Sequence, residues 1–283
     1  MKYFTTAILL FIVSGVIHAQ SIERIYLWPD AVPGETEAKD EPVVTPDNSN
    51  NVKRLTDVTN PAFEVYLADP SNANGAGILV CPGGGNQILA IDLEGSEVAK
   101  WLNEKGYNAY VLEYRVPQKQ TGALMDAQRA MRIIRKNASK WNQDQGKLGV
   151  MGFSAGGGLG ANLSTRYEEK VYGRIDGMDD ISSRPDFVLL IYPGSLDKGE
   201  NKTLSPELKI TEKTPPMFIF ATADDRITNN SFVMAIALRD AKIPVEFHMM
   251  TTGGHGYGLR KGNPAAEVWP SLAEVWLKGQ IRD

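Results

Sequence analysis

The sequence predicts an α/β fold, a mostly parallel sheet with helices on both faces. Three observations carry this. Apolar runs of strand length recur along the chain, at Gly77-Ile78-Leu79-Val80-Cys81, 107–114, 147–151, 187–192, 217–222 and 245–250. Most show no alternation, which is what strands buried on both faces require. Between several of them lie residues at helical spacing: Val98, Trp101 and Leu102, then Leu124, Ala127, Met131 and Ile134, and at the end 265–277. Finally, 283 residues with 42% apolar and 23% charged side chains suit one large domain. Repeated strand-then-helix order in such a chain means a covered parallel sheet.

Taken in order, residues 1–19 differ in kind from the rest. Lys2 gives a positive start, Ala7 to Val13 an apolar core, and Ile17-His18-Ala19 a small-residue cleavage site. This pattern predicts a secretory signal peptide, too short for a membrane span, cleaved after Ala19. Export follows as the expected location, with no membrane attachment after cleavage. Residues 20–60 are rich in Pro, Asp, Asn and Thr without clear period, and read as an irregular arm laid over the domain of 61–283, with a strand at its end as the alternative. Phe63-Glu64-Val65-Tyr66-Leu67 alternates and reads as a half-exposed edge strand. The single cysteine, Cys81, allows no internal disulfide and reads as a buried strand-end residue. Trp28, Trp141 and Trp269 read as core. The polar stretches 166–185 and 194–214 read as surface loops, with excursions over a site as the alternative. A formal charge of −4 argues against nucleic acid as a partner.

The chemistry gathers around Gly152-Phe153-Ser154-Ala155-Gly156, which fits G-x-S-x-G between a buried strand and a small-residue helix. The glycines let a strained turn push the Ser154 hydroxyl into the open. Serine needs a base, and histidine is the usual one. Of three histidines, His18 leaves with the leader and His248 sits in an alternating strand, where a structural role fits best. His255, in Gly253-Gly254-His255-Gly256-Tyr257 after the last strand, is left as the base. The orienting carboxylate should follow the 217–222 strand, where Asp224 and Asp225 both qualify. Donors for an oxyanion would be the amides of Ala155 and of Gly84 and Gly85, in the run Pro82-Gly83-Gly84-Gly85-Asn86. That run lacks the Lys-Ser/Thr of a phosphate-binding P-loop. Two remaining histidines are too few for a zinc site, so neither metal nor cofactor is expected.

The order Ser154, Asp225, His255 is that of the α/β hydrolases, and the wider chain resembles one group of them. Leu27-Trp28-Pro29, Pro33-Gly34, Glu94-Gly95, Trp101-Leu102, Tyr114-Arg115-Val116-Pro117, Asp126-Ala127-Gln128-Arg129-Ala130, the elbow, Thr222-Ala223-Asp224-Asp225 and Gly253-Gly254-His255-Gly256 appear at the spacing of the acetyl-xylan-esterase-like, BD-FAE-like esterases. These are relatives of the hormone-sensitive-lipase group. The resemblance implies an α/β-hydrolase fold and assigns a Ser154–Asp225–His255 triad, preferring Asp225 because Asp225-Arg226-Ile227 matches the family's D-x-V. It also implies short acyl esters, acetyl first, on xylan-derived sugars or oligosaccharides. Many relatives carry an aromatic after the three glycines. Here Asn86 stands there and should make the acyl pocket more polar or roomier. Tyr257, two residues after His255, is the aromatic placed nearest the site. A small serine peptidase or general carboxylesterase of the same fold, and a catalytically silent binding protein, are the rival readings.

Overall fold

The computed structural model describes residues 22–281; the expected leader at 1–19 lies outside the described residues. The arm supplies β1 (Glu23–Tyr26), β2 (Val43–Val44) and β3 (Arg54–Thr56). The domain continues with β4 (Ala62–Tyr66), β5 (Gly77–Cys81), β6 (Leu89–Ala90), α1 (Glu97–Glu104), β7 (Asn108–Glu113) and α2 (Gln120–Lys136). It closes with β8 (Leu148–Phe153), α3 (Ser154–Thr165), β9 (Val188–Ile191), β10 (Met217–Thr222), α4 (Asn229–Asp240), β11 (Val245–Met250) and α5 (Pro264–Gln280). Eight strands form one sheet in the order β1-β4-β7-β5-β8-β9-β10-β11. From β7 to β11 every neighbouring pair is parallel. All residues of β5, β7, β8, β9 and β10 are buried, as continuous apolar runs require of a doubly covered sheet. α3 packs on β8 and β9, and α2 on α3. α1 and α5 meet through the rings of Trp101 and Trp269, 5.4 Å apart. Trp28, Trp141 and Trp269 are all core, and burial pushes the Cys81 thiol pKa up, so it is no nucleophile.

Two expectations need correction. β4 is not an edge strand: β1 pairs antiparallel with it, Glu23 opposite Val65 through Tyr26 opposite Ala62. The arm is accordingly not irregular throughout. A four-residue strand with charged Glu23 and Arg24 ahead of Ile25 leaves too little apolar pattern to read. β2 and β3 join β6 in a second, three-stranded antiparallel sheet. This places the arm beside the segment that follows the three glycines.

Beyond the β1 ladder, side chains fasten the next stretch of the arm. Asp126 on α2 is fully buried. It accepts hydrogen bonds from Arg115 Nε (2.9 Å) and Nη2 (3.0 Å) and from Trp28 Nε1 (2.9 Å). Arg115 also donates to the carbonyls of Pro33 and Gly122. Three sequence segments shared with the resembled family thus converge on one buried ion pair.

Candidate active site

β8 ends at Phe153 in extended geometry, and Ser154 opens α3 with φ +50°, in the left-handed region. A non-glycine residue is strained there, and the surroundings hold it. They can close in only because flanking side chains are missing. A Cβ on Gly152 would lie 2.2 Å from the carbonyl oxygen of Gly156, and one on Gly156 2.0 Å from that of Cys81. The serine hydroxyl is left facing outward.

Ser154 Oγ lies 2.7 Å from His255 Nε2, and His255 Nδ1 lies 2.6 Å from Asp225 Oδ2. Asp225 is buried and accepts the Ile227 N–H through its other oxygen at 3.1 Å. Asp224 has a different task. Its carboxylate accepts the N–H groups of Gly254 (2.8 Å) and Gly253 (3.2 Å), and these backbone bonds hold its pKa below the ordinary carboxylate value. The neighbouring acids divide the work: Asp224 pins the loop and Asp225 meets the imidazole. His248 is elsewhere, bonded to Glu246 at 2.7 Å on β11.

After β5 the backbone turns sharply, with φ +140° at Gly84 and +63° at Gly85. The Gly84 carbonyl accepts the N–H groups of Gln87 and Ile88. Among the described residues no acceptor takes the amides of Gly84 and Gly85, while Ala155 stands in the first turn of α3, where N–H groups have no partner within the helix. Gly84, Gly85, Ser154, His255 and Tyr257 line a cleft of about 660 Å³. Val52, Ile88, Ala90 and Leu93 give it an apolar wall, to which the arm contributes Val52. A smaller cavity of about 150 Å³ borders Asn86 and Ala155. Arg166, Ser195, Lys198 and Glu207 also line it, so both polar excursions reach the neighbourhood of the site. Tyr257 is buried against Tyr192, ring centroids 4.4 Å apart, and its hydroxyl has no partner among the described residues.

Sequence reasoning missed Glu94 and Tyr192. Glu94 is 3% exposed, and its carboxylate meets the Tyr192 hydroxyl and the Gly83 amide at 2.8 and 2.7 Å. Tyr192 sets its ring edge against His255 at 4.9 Å. The signals were an acid inside an apolar stretch and the family match of Glu94-Gly95, neither of which showed its role.

Chemically, a hydroxyl, imidazole and carboxylate in such a relay can pass a serine proton to an imidazole whose tautomer the carboxylate fixes. The BD-FAE family model matches residues 64–191, which include the glycine loop and Ser154 and stop before Asp225. The chain is 37% identical over 206 residues to endo-1,4-beta-xylanase B of Butyrivibrio fibrisolvens, covering 63% of this chain and 32% of that one. It is 30% identical over 216 residues to the acetylxylan esterase of Xylanibacter ruminicola, covering 67% of this chain and 42% of that one. The chain thus spans less than half the length of either relative. Among solved structures, the acetyl ester-xyloside bifunctional hydrolase from Caldicellulosiruptor lactoaceticus superposes with a TM-score of 0.72 at 31% identity, over 91% of this chain and 96% of that one. The sheet order and its helical cover are those of the α/β-hydrolase fold, which solved α/β hydrolases share. By sequence, fold and structural likeness, the chain belongs to the BD-FAE family of esterase-type α/β hydrolases.

Proposed function

We propose that this hydrolase is an exported serine esterase that removes short acyl groups, acetyl foremost, from xylan-derived sugars and oligosaccharides. The observation that carries the reading is the unbroken relay from Ser154 through His255 to Asp225, at 2.7 and 2.6 Å. Ser154 Oγ attacks the ester carbonyl while His255 takes its proton. The amides of Gly84, Gly85 and Ala155 hold the oxyanion. His255 returns the proton to the departing sugar hydroxyl, and water repeats the sequence to release the acid. No metal or cofactor enters these steps. The leaving alcohol must lie near the imidazole, so the larger cleft takes the sugar. The acyl group then points toward Ala155 and Asn86. The xylan-acting relatives support the sugar assignment, and the leader pattern of residues 1–19 supports export.

The test is acetate release from acetylated xylo-oligosaccharides by the wild type and Ser154→Ala, with p-nitrophenyl acetate alongside. Loss of at least ~10³-fold in kcat on both substrates is expected for Ser154→Ala. Wild-type activity confined to the nitrophenyl ester would discard xylan and leave a general carboxylesterase. Equal activity of the two proteins would discard the site. An organophosphate that fails to label Ser154 would point to a silent binding protein.

A further inference from the structure

One buried acid in this site has no part in the steps above. Glu94 lies in the wide turn Asp92–Ser96 that leads into α1, and its side chain is shut away from solvent. Oε2 accepts the Gly83 N–H at 2.7 Å. Oε1 accepts the hydroxyl of Tyr192 at 2.8 Å. That phenol oxygen in turn accepts the N–H of Gly258, three residues beyond His255, at 3.0 Å. The Gly258 carbonyl is taken by Trp269 Nε1 at 2.8 Å. Packing follows the same path. A Cβ on Gly83 would lie 2.6 Å from Glu94 Oε2 and 2.8 Å from Ser154 Cβ, so acid, glycine and nucleophile are stacked without a gap. One on Gly258 would lie 2.7 Å from Leu93 Cδ1. Burial raises the pKa of the Glu94 carboxyl, and the Tyr192 and Gly83 donors oppose that rise.

We propose that Glu94 is a positioning residue. Its carboxylate ties the oxyanion loop, through Gly83, to the histidine loop, through Tyr192 and Gly258. One side chain therefore sets the spacing between the oxyanion donors and the imidazole. The two are coupled because one hangs from Oε2 and the other, through the Tyr192 hydroxyl, from Oε1 of the same carboxylate. Tyr192 completes the tie and also presses its ring on His255. The inference rests on the esterase reading, and concerns how that site is held.

Glu94→Gln separates the role from simple cavity filling. The amide has nearly the shape of the acid but one acceptor oxygen where two donors converge. Either Gly83 faces an N–H, or the Tyr192 hydroxyl must give up donating and accept a second N–H beside that of Gly258, so the tie is weakened at one end. Tyr192→Phe cuts the tie from the other side by removing one oxygen. Activity on p-nitrophenyl acetate and the thermal midpoint are measured for both variants, the double variant and Ser154→Ala. Glu94→Gln is expected to lower kcat about 10- to 30-fold with KM changed less than about twofold, because misplaced donors cost transition-state stabilisation rather than binding. Tyr192→Phe should lower kcat about fivefold, and the double variant should fall no further than Glu94→Gln, as members of one tie do not add. If Ser154→Ala is inactive while both single variants keep kcat within about twofold of wild type, the positioning role is overturned and the esterase reading stands. Multiplying losses in the double variant would also overturn it. An active Ser154→Ala removes the esterase reading and the proposal together. Should Glu94→Gln fail to fold, Tyr192→Phe decides alone.

Discussion

The elbow around Ser154 and the knot around Arg115 are both buried and both join segments distant in sequence, yet opposite means hold them. At the elbow, side chains are absent. Gly152, Gly156, Gly157 and Gly158 let α3 press its backbone against β5, β8 and the chain after β9. At the knot, side chains do everything: a guanidinium 2% exposed and a fully buried carboxylate gather Trp28, Pro33 and Gly122 around them. A contact between backbones cannot admit an atom. A buried ion pair cannot lose one partner, although losing both together can be nearly neutral.

The largest effect should come from breaking the backbone contact. In Gly156→Ala the new methyl would sit 2.0 Å from the Cys81 carbonyl oxygen and 2.4 Å from that of Pro82. Neither can retreat, since β5 lies at the sheet centre. A loss of ~5 kcal/mol in stability is expected, with kcat down ~100-fold in any folded fraction. Gly160→Ala, four residues along the same helix, meets nothing nearer than 3.5 Å and should gain ~0.5–1 kcal/mol from helix propensity. Denaturant unfolding of the two measures the contrast. Equal tolerance at both positions would show that contact does not govern this helix.

The knot should break next. Asp126→Asn leaves the Arg115 charge buried without a counter-ion, for an expected cost of ~3–5 kcal/mol. Replacing both by apolar residues, as Arg115→Met with Asp126→Leu, should recover the unpaired-charge part of the cost but not the part due to the orphaned Trp28 indole N–H and the Pro33 and Gly122 carbonyls. If the single variant unfolds at the wild-type denaturant concentration, the pair contributes no net stability and the arm is held elsewhere.

The contrast also explains what could be read from sequence. The parallel strands were legible because a doubly covered sheet leaves continuous apolar runs. Ser154 and His255 could be named as candidates because the chemistry limits the choice, by glycine spacing for one and elimination for the other, and the structure places them 2.7 Å apart. Asp224 and Asp225 were indistinguishable, since adjacent acids after a strand differ only in which way the chain turns beneath them. The knot showed as matched segments without a reason, because Trp28, Arg115 and Asp126 find one another only in three dimensions. β1 left no trace for the same cause. Glu94 showed only as part of a matched segment and Tyr192 only as the end of an apolar run, neither with a reason, and the cavity walls come from polar stretches that look like ordinary surface.

The smallest effect sharpens the comparison through pH. Glu113 ends β7, two residues before Arg115, and is paired with Arg24 of β1, whose Nη1 donates at 3.0 Å. Here too a buried carboxylate fastens the arm, but with weaker compensation. Burial pushes the Glu113 pKa up to about 7, Arg24 opposes the rise, and Glu64 and Glu41 add to it. A carboxyl whose folded pKa exceeds its unfolded value binds its proton more tightly in the folded chain. Its contribution is therefore greatest below the unfolded value of 4.5 and is lost as pH rises toward 7. At ~1.4 kcal/mol per pH unit over this window the loss is at most ~3.5 kcal/mol. Stability of the wild type, measured by denaturant unfolding from pH 5 to 8, should fall across this window, and Glu113→Gln should flatten that fall. Other carboxylates near the surface, such as Asp176 beside Arg129, have lowered pKa values and act only in more acid solution. Parallel curves for wild type and Glu113→Gln would mean that Arg24 fully compensates the buried charge, so that the β1 anchor and the Arg115 knot are held equally well.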